Sequence, residues 1–171
     1  KHVSLEIQPE QYPIVGENLL HSISEVLNVP FESELIAAWK AAYLQLADIL
    51  INAEKTKYDG LVAQNGGWAG WRNFNITQIE QADAGQVFVL QAADEHAVLA
   101  AEAGQFISVK VKVPNHNLEQ PHQFVVVSGL DGQYQFMVKG EENRTEYSVA
   151  NILLEHYKVG DQVKVTAPLS K

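Results

Sequence analysis

The 171-residue sequence contains no cysteine. Disulfides, thiolate metal sites and cysteine-ligated iron–sulfur clusters are therefore excluded. Basic residues are also scarce, with 12 Lys and Arg against 21 Asp and Glu, a formal net charge of −9. They are scattered along the chain, so no stripe tracks a phosphate backbone and nucleic acid is not an expected partner. No apolar run approaches the roughly 20 residues of a membrane-spanning helix, and no secretory signal pattern opens the chain. A cytoplasmic protein without a membrane span is expected. There is no Gly-x-Ser-x-Gly elbow, no P-loop and no paired-carboxylate signature. The first residues are Lys1-His2-Val3-Ser4, without an initiator methionine, so a piece of a longer protein is expected.

What is present suffices for a packed core. Hydrophobic residues make up 46% and charged residues 19%, a balance that argues against disorder. The first sixty residues carry helical periodicity. From Pro9 to Asn28, apolar residues fall mostly at three- and four-residue steps: Tyr12, Ile14, Val15, Leu19, Leu20, Ile23, Val26 and Leu27. Pro13 sits where a first helical turn tolerates it, and Pro30 marks the break. Ser33 is a good N-cap with Glu34 behind it, and Leu35, Ile36, Trp39, Tyr43, Leu46, Ala47, Leu50 and Ile51 form a second stripe. This helix is expected to close near Tyr58-Asp59-Gly60. The two helices predict an antiparallel hairpin whose apolar faces are broader than either helix alone covers. A homodimer through those faces is one expected outcome.

The period then changes to two. Strands are expected at Arg72–Glu80, Gln86–Gln91, Gln105–Val113, Gln123–Ser128, Gln133–Lys139 and Gln162–Thr166, with one helix at Ser148–Tyr157. Asp131-Gly132 between two of them is a hairpin signal. The fold class expected is α+β, a helix hairpin followed by a six-stranded antiparallel Greek-key β-barrel with one helix. Domain bounds are expected at 1–60 for the helices, 61–71 for a glycine-rich linker and 72–171 for the barrel.

Read alone, His2 is an ordinary terminal histidine, Tyr12 a packing residue and Glu54 a solvated helix end. Their setting changes that. The stretch Lys1-His2-Val3-Ser4-Leu5 … Ile7-Gln8-Pro9-Glu10-Gln11-Tyr12 … Val15-Gly16-Glu17 resembles the proximal haem region of flavohaemoglobins. The likeness continues through Ala38-Trp39, Ala42-Tyr43, Leu46-Ala47, Ile51-Asn52 and Glu54. It ends in Gly66-Gly67-Trp68 … Gly70 … Arg72 … Phe74, similar to the family's join between globin and reductase.

That resemblance implies that His2 is the proximal ligand of haem b iron, with Tyr12 and Glu54 hydrogen-bonded around its imidazole and Lys1 reaching toward a flavin. It implies that the whole protein is a nitric oxide dioxygenase. Electrons would pass from NAD(P)H to FAD to haem, with oxygen and nitric oxide as substrates. This chain would be the middle part, and inactive alone. The globin helices that complete the haem pocket, and an NAD(P)H domain, would lie outside it.

The flavin half departs from the pattern. Where the family carries Arg-x-Tyr-Ser, this sequence has His122-Gln123-Phe124-Val125, losing a permanent cation and two hydroxyls. Phe106 replaces a tyrosine beside the adenine end. The family's glycine-containing pyrophosphate loop matches Glu141-Glu142-Asn143-Arg144-Thr145-Glu146-Tyr147-Ser148, which has no glycine and three carboxylates. Weakened FAD binding is expected. The alternative is a diverged haem or gas-binding module, or a protein-interaction module, that has lost flavin. His116 and His122 lack a third ligand at usable spacing and are expected to be surface histidines.

Overall fold

The computed structural model describes residues 2–129, 132–142 and 145–170. Its elements begin with a 3-10 turn at Val3–Leu5, α1 at Gln11–Leu27 and α2 at Glu34–Val62. They continue with β1 at Arg72–Ala82, β2 at Gly85–Ala92, β3 at Phe106–Lys112, β4 at Glu119–Ser128 and β5 at Gln133–Val138. The chain then forms α3 at Val149–His156 and β6 at Gln162–Val165.

Both long helices end on local chemistry. α1 closes at Asn28, whose left-handed backbone (φ 51) turns its N–H back onto the Ser24 and Glu25 carbonyls. Ser33 caps α2 by accepting the Ile36 N–H. At 29 residues α2 spans roughly 44 Å, against roughly 26 Å for the 17 residues of α1. It runs two residues past the expected stop at Gly60. The reason is Leu61, which is buried against Val3 and Ala167 and repays the weak helix propensity of Gly60. The far end of α2 thus docks onto the barrel while its middle packs on α1.

The helix pair is antiparallel, with Tyr12 near the start of α1 meeting Glu54 late in α2. Gly16 sets the spacing, since a Cβ there would lie 2.4 Å from the Tyr43 ring. On α1 only Tyr12, Gly16 and Leu20 are buried. Ile14, Val15 and Val26 remain 62%, 59% and 84% exposed, so the stripe is indeed wider than α2 covers.

The six strands close into an antiparallel barrel in the order β1-β2-β5-β4-β3-β6. Alternate residues fill it: Phe74 and Ile76, Ile107 and Val109, Phe124 and Val126, Tyr134 and Phe136, Val163 and Val165. Each contributes about 1.5–3 kcal/mol of burial. β4 begins four residues before the expected Gln123, because pairing with β3 extends from Val125 opposite Phe106 to Glu119 opposite Lys112. Ser148 caps α3, which seats Val149, Ile152 and Leu153 in the same core. β4 and β5 pair as the hairpin signal predicted, but Asp131 itself lies outside the described residues. Among the described residues, no helix is long and apolar enough to cross a membrane.

Candidate functional site: a histidine, tyrosine and glutamate cluster

His2 opens the 3-10 turn. Its carbonyl accepts the N–H groups of Leu5 (3.0 Å) and Ile7 (3.2 Å), and Glu6 takes a left-handed φ of 54 to close the loop. This small ring fixes the backbone from which the imidazole projects. His2 Nδ1 lies 2.7 Å from Glu54 Oε1 and 3.1 Å from the Tyr12 hydroxyl. Tyr12 in turn donates to the same Glu54 oxygen at 2.7 Å. The tautomer with hydrogen on Nδ1 satisfies this network, with both donors aimed at one carboxylate. Glu54 is 7% exposed, so two donors stabilise a charge that would be costly to bury alone.

Tyr12 is held from two sides. Its hydroxyl serves Glu54 and its carbonyl accepts the Tyr43 hydroxyl at 2.7 Å. Burial first, and the Glu54 hydrogen bond second, push the Tyr12 hydroxyl up to about 12. It therefore stays a neutral donor at any ordinary pH. Sequence periodicity placed Tyr43 in the α2 stripe without this role. Glu6 was missed altogether. Its carboxylate is buried, accepts the Gly70 N–H at 3.0 Å and has its pKa raised chiefly by desolvation. Only an acidic residue inside an otherwise anchored turn would have signalled it.

The residues matched to the flavin motif do not converge. Phe124 is 6% exposed and packs into the barrel against Phe136, with ring centroids 4.7 Å apart. His122 and Val125 are exposed but lie on opposite faces of β4, and His122 meets Phe124 with ring centroids 4.9 Å apart. Gln123 turns to the helical half of the chain and donates to Ser4 Oγ. Phe106 pairs with Val125 and exchanges backbone bonds of 2.9 Å with Leu169. It lines a cleft of about 370 Å³ whose other wall includes His2, Glu54 and Lys57. Lys1 lies outside the described residues.

The loop matched to the pyrophosphate site is occupied by its own contacts. Glu141 N–H donates to Asn151 Oδ1 at 3.0 Å, and His116 Nε2 lies 3.1 Å from a Glu146 carboxylate oxygen. Asn143 and Arg144 lie outside the described residues. Among the described residues no group of three or more His, Cys, Asp or Glu side chains gathers to hold a metal ion.

No family model matches the chain. A flavohemoprotein of Rhizobium meliloti (strain 1021) is 42% identical over 172 residues, covering 98% of this chain and 43% of that protein. The crystal structure of a flavohemoglobin from Malassezia yamatoensis, with bound FAD and heme, superposes with a TM-score of 0.82 at 25% identity. It covers 99% of this chain and 42% of that one. The flavohem-like FAD/NAD binding domain of a nitric oxide dioxygenase from Vibrio cholerae O1 biovar El Tor matches 58% of this chain and 44% of its own. Its TM-score is 0.51 at 30% identity. This chain belongs to the flavohaemoprotein family along almost its whole length, and it spans about two fifths of the length of the relatives it matches.

Proposed function

We propose that this chain is the central segment of a flavohaemoglobin-type oxidoreductase, with His2 as the proximal ligand of haem b. One observation carries the reading: a single buried oxygen of Glu54 lies 2.7 Å from both His2 Nδ1 and the Tyr12 hydroxyl. With Nδ1 committed, Nε2 is the nitrogen left to bind iron. An anion behind an iron-bound imidazole makes it more basic and pushes electron density toward the metal, which favours oxygen activation over storage. The donor set therefore fits the group. Haem would supply the iron at which oxygen and nitric oxide meet. Glu54 holds the Nδ1 proton, Tyr12 holds Glu54, and Tyr43 holds Tyr12.

In this reading residues 1–60 form the proximal side of a globin, 61–71 the linker and 72–171 a reductase-type barrel in a cytoplasmic protein. The reaction proposed for the whole protein is oxidation of nitric oxide to nitrate by oxygen, with NAD(P)H supplying electrons. NAD(P)H belongs to this proposal only if a nucleotide-binding domain follows these residues. Lys1 belongs to the proposal as the residue reaching toward flavin. The barrel residues do not fit FAD by the family's contacts, since Phe124 is buried and Val125 carries no hydroxyl, so no step is assigned to flavin here. That mismatch favours a second reading, a haem or gas-binding module that has lost flavin.

The test uses the full-length protein loaded with haem. NAD(P)H-dependent nitric oxide consumption in air, with nitrate as product and loss of both on His2→Ala, is the expected result. Haem binding without NAD(P)H-dependent turnover supports the second reading. A protein that binds no haem overturns both.

A further inference from the structure

The turn that carries His2 is fastened to the barrel as well as to the helices. Ser4 is 1% exposed, although it lies only two residues from His2. Its carbonyl accepts the Ser108 hydroxyl, and its own hydroxyl accepts the Gln123 side-chain amide. Ser108 on β3 and Gln123 on β4 are cross-strand partners. Their neighbours Ile107, Val109 and Phe124 are barrel core, so Ser108 and Gln123 project from the outer wall, under the turn. Ser108 is itself pinned, since its N–H donates to Thr166 Oγ1 at 3.0 Å and its carbonyl accepts the Thr166 N–H at 3.1 Å. The anchor is therefore rigid barrel.

We propose that Gln123 is a positioning residue, holding Ser4 on the barrel wall and thereby setting the attitude of the His2 imidazole. The inference rests on His2 being the haem ligand. It gives Gln123 a role different from flavin contact: of the stretch His122-Gln123-Phe124-Val125, this side chain bonds the His2 turn. The coupling is short. Ser4 lies inside the loop that the His2 carbonyl closes with Leu5 and Ile7, so Ser4 cannot shift without moving the His2 backbone. Glu54 and Tyr12 fix the ring from the helix side, and Gln123 fixes its base from the barrel side. A ligand oriented by partners on both sides is held at one angle to the metal it binds.

The experiment compares Gln123→Leu, Gln123→Glu and a control, Gln91→Leu on β2. Amide hydrogen exchange at Leu5 and Ile7 is followed in the 171-residue chain, and the haem midpoint potential in the haem-loaded full-length protein. Gln123→Leu should speed exchange at both amides by roughly fivefold, the loss of one part-buried hydrogen bond, and should shift the potential. Gln123→Glu should restore the slow exchange, because a carboxylate can still bond the Ser4 hydroxyl, and its added charge keeps it out of the comparison of potentials. Gln91→Leu should change neither. Unchanged exchange in Gln123→Leu overturns the proposal. So does faster exchange with an unmoved potential, which leaves Gln123 as packing alone. If His2→Ala keeps the wild-type Soret band, the haem reading has failed instead, and the exchange data separate that outcome.

Discussion

Tyr12 donates its hydroxyl to Glu54 across 2.7 Å, although 42 residues of chain separate them. Burial and this bond raise the Tyr12 pKa from 10.0 to about 12. A group that binds its proton more tightly when folded stabilises the fold fully below its unfolded pKa. That contribution is lost as pH rises through the folded value. The window is therefore alkaline, between about pH 10 and about pH 12. At neutral pH, Tyr12→Phe should cost about 1–3 kcal/mol by removing a donor from buried Glu54. Thermal melts of both proteins across that window should show the wild type losing this advantage. A difference independent of pH would mean that Tyr12 does not titrate as its contacts require.

Gly16 and Tyr43 make a second prediction. A methyl group at Gly16 would fall 2.4 Å from the Tyr43 ring, which is rigid and also holds the Tyr12 carbonyl. Gly16→Ala should therefore cost about 1–3 kcal/mol despite its better helix propensity. Chemical denaturation measures it. A stabilised Gly16→Ala would show that the helices are not in contact there.

The helices and barrel were legible because their signals are local. Ser33 before Glu34, the change from a helical to a two-residue period, and alternate apolar residues all act within a few positions. Three features were not. The Leu61 contact with Val3 and Ala167, which carries α2 past Gly60, joins residues far apart in sequence. The early start of β4 depends on its partner β3. The bond from Gln123 to Ser4 spans 119 residues, and no local pattern encodes it. At the site, His2, Tyr12 and Glu54 were legible through resemblance, whereas Tyr43 and Glu6 emerge only when the chain is folded.

Flavin should bind weakly. Exchanging the family's arginine for His122 and losing two hydroxyls at Phe124 and Val125 forfeits together about 4 kcal/mol, close to a thousandfold in Kd. Protein purified without added FAD should release little or no yellow cofactor on heating. The double change His122→Arg with Val125→Ser alters two exposed positions and should raise affinity. A stoichiometric yellow supernatant from the unaltered protein would refute this.

Association is the fourth expectation. Ile14, Val15 and Ile49 are 62%, 59% and 66% exposed on the helix pair. Apolar surface of that extent finds a cover. We propose that the 171-residue chain, produced alone, dimerises through these faces. Light scattering at micromolar concentration should give twice the chain mass, and Ile14→Glu with Ile49→Glu should return it to monomer. A monomeric wild type would contradict the proposal.

The bond between Glu54 and the His2 imidazole, 2.7 Å long, is the link on which the proposed proximal site depends. Glu54→Gln leaves the side chain's shape and its hydrogen-bonding oxygen in place but removes the negative charge. In the haem-loaded full-length protein, resonance Raman spectroscopy reads the iron–imidazole stretching frequency. The Glu54→Gln protein should retain haem and show a lower frequency, because a neutral amide no longer makes the ligand imidazole more basic. An unchanged frequency would remove Glu54 from the proximal site and contradict the central claim.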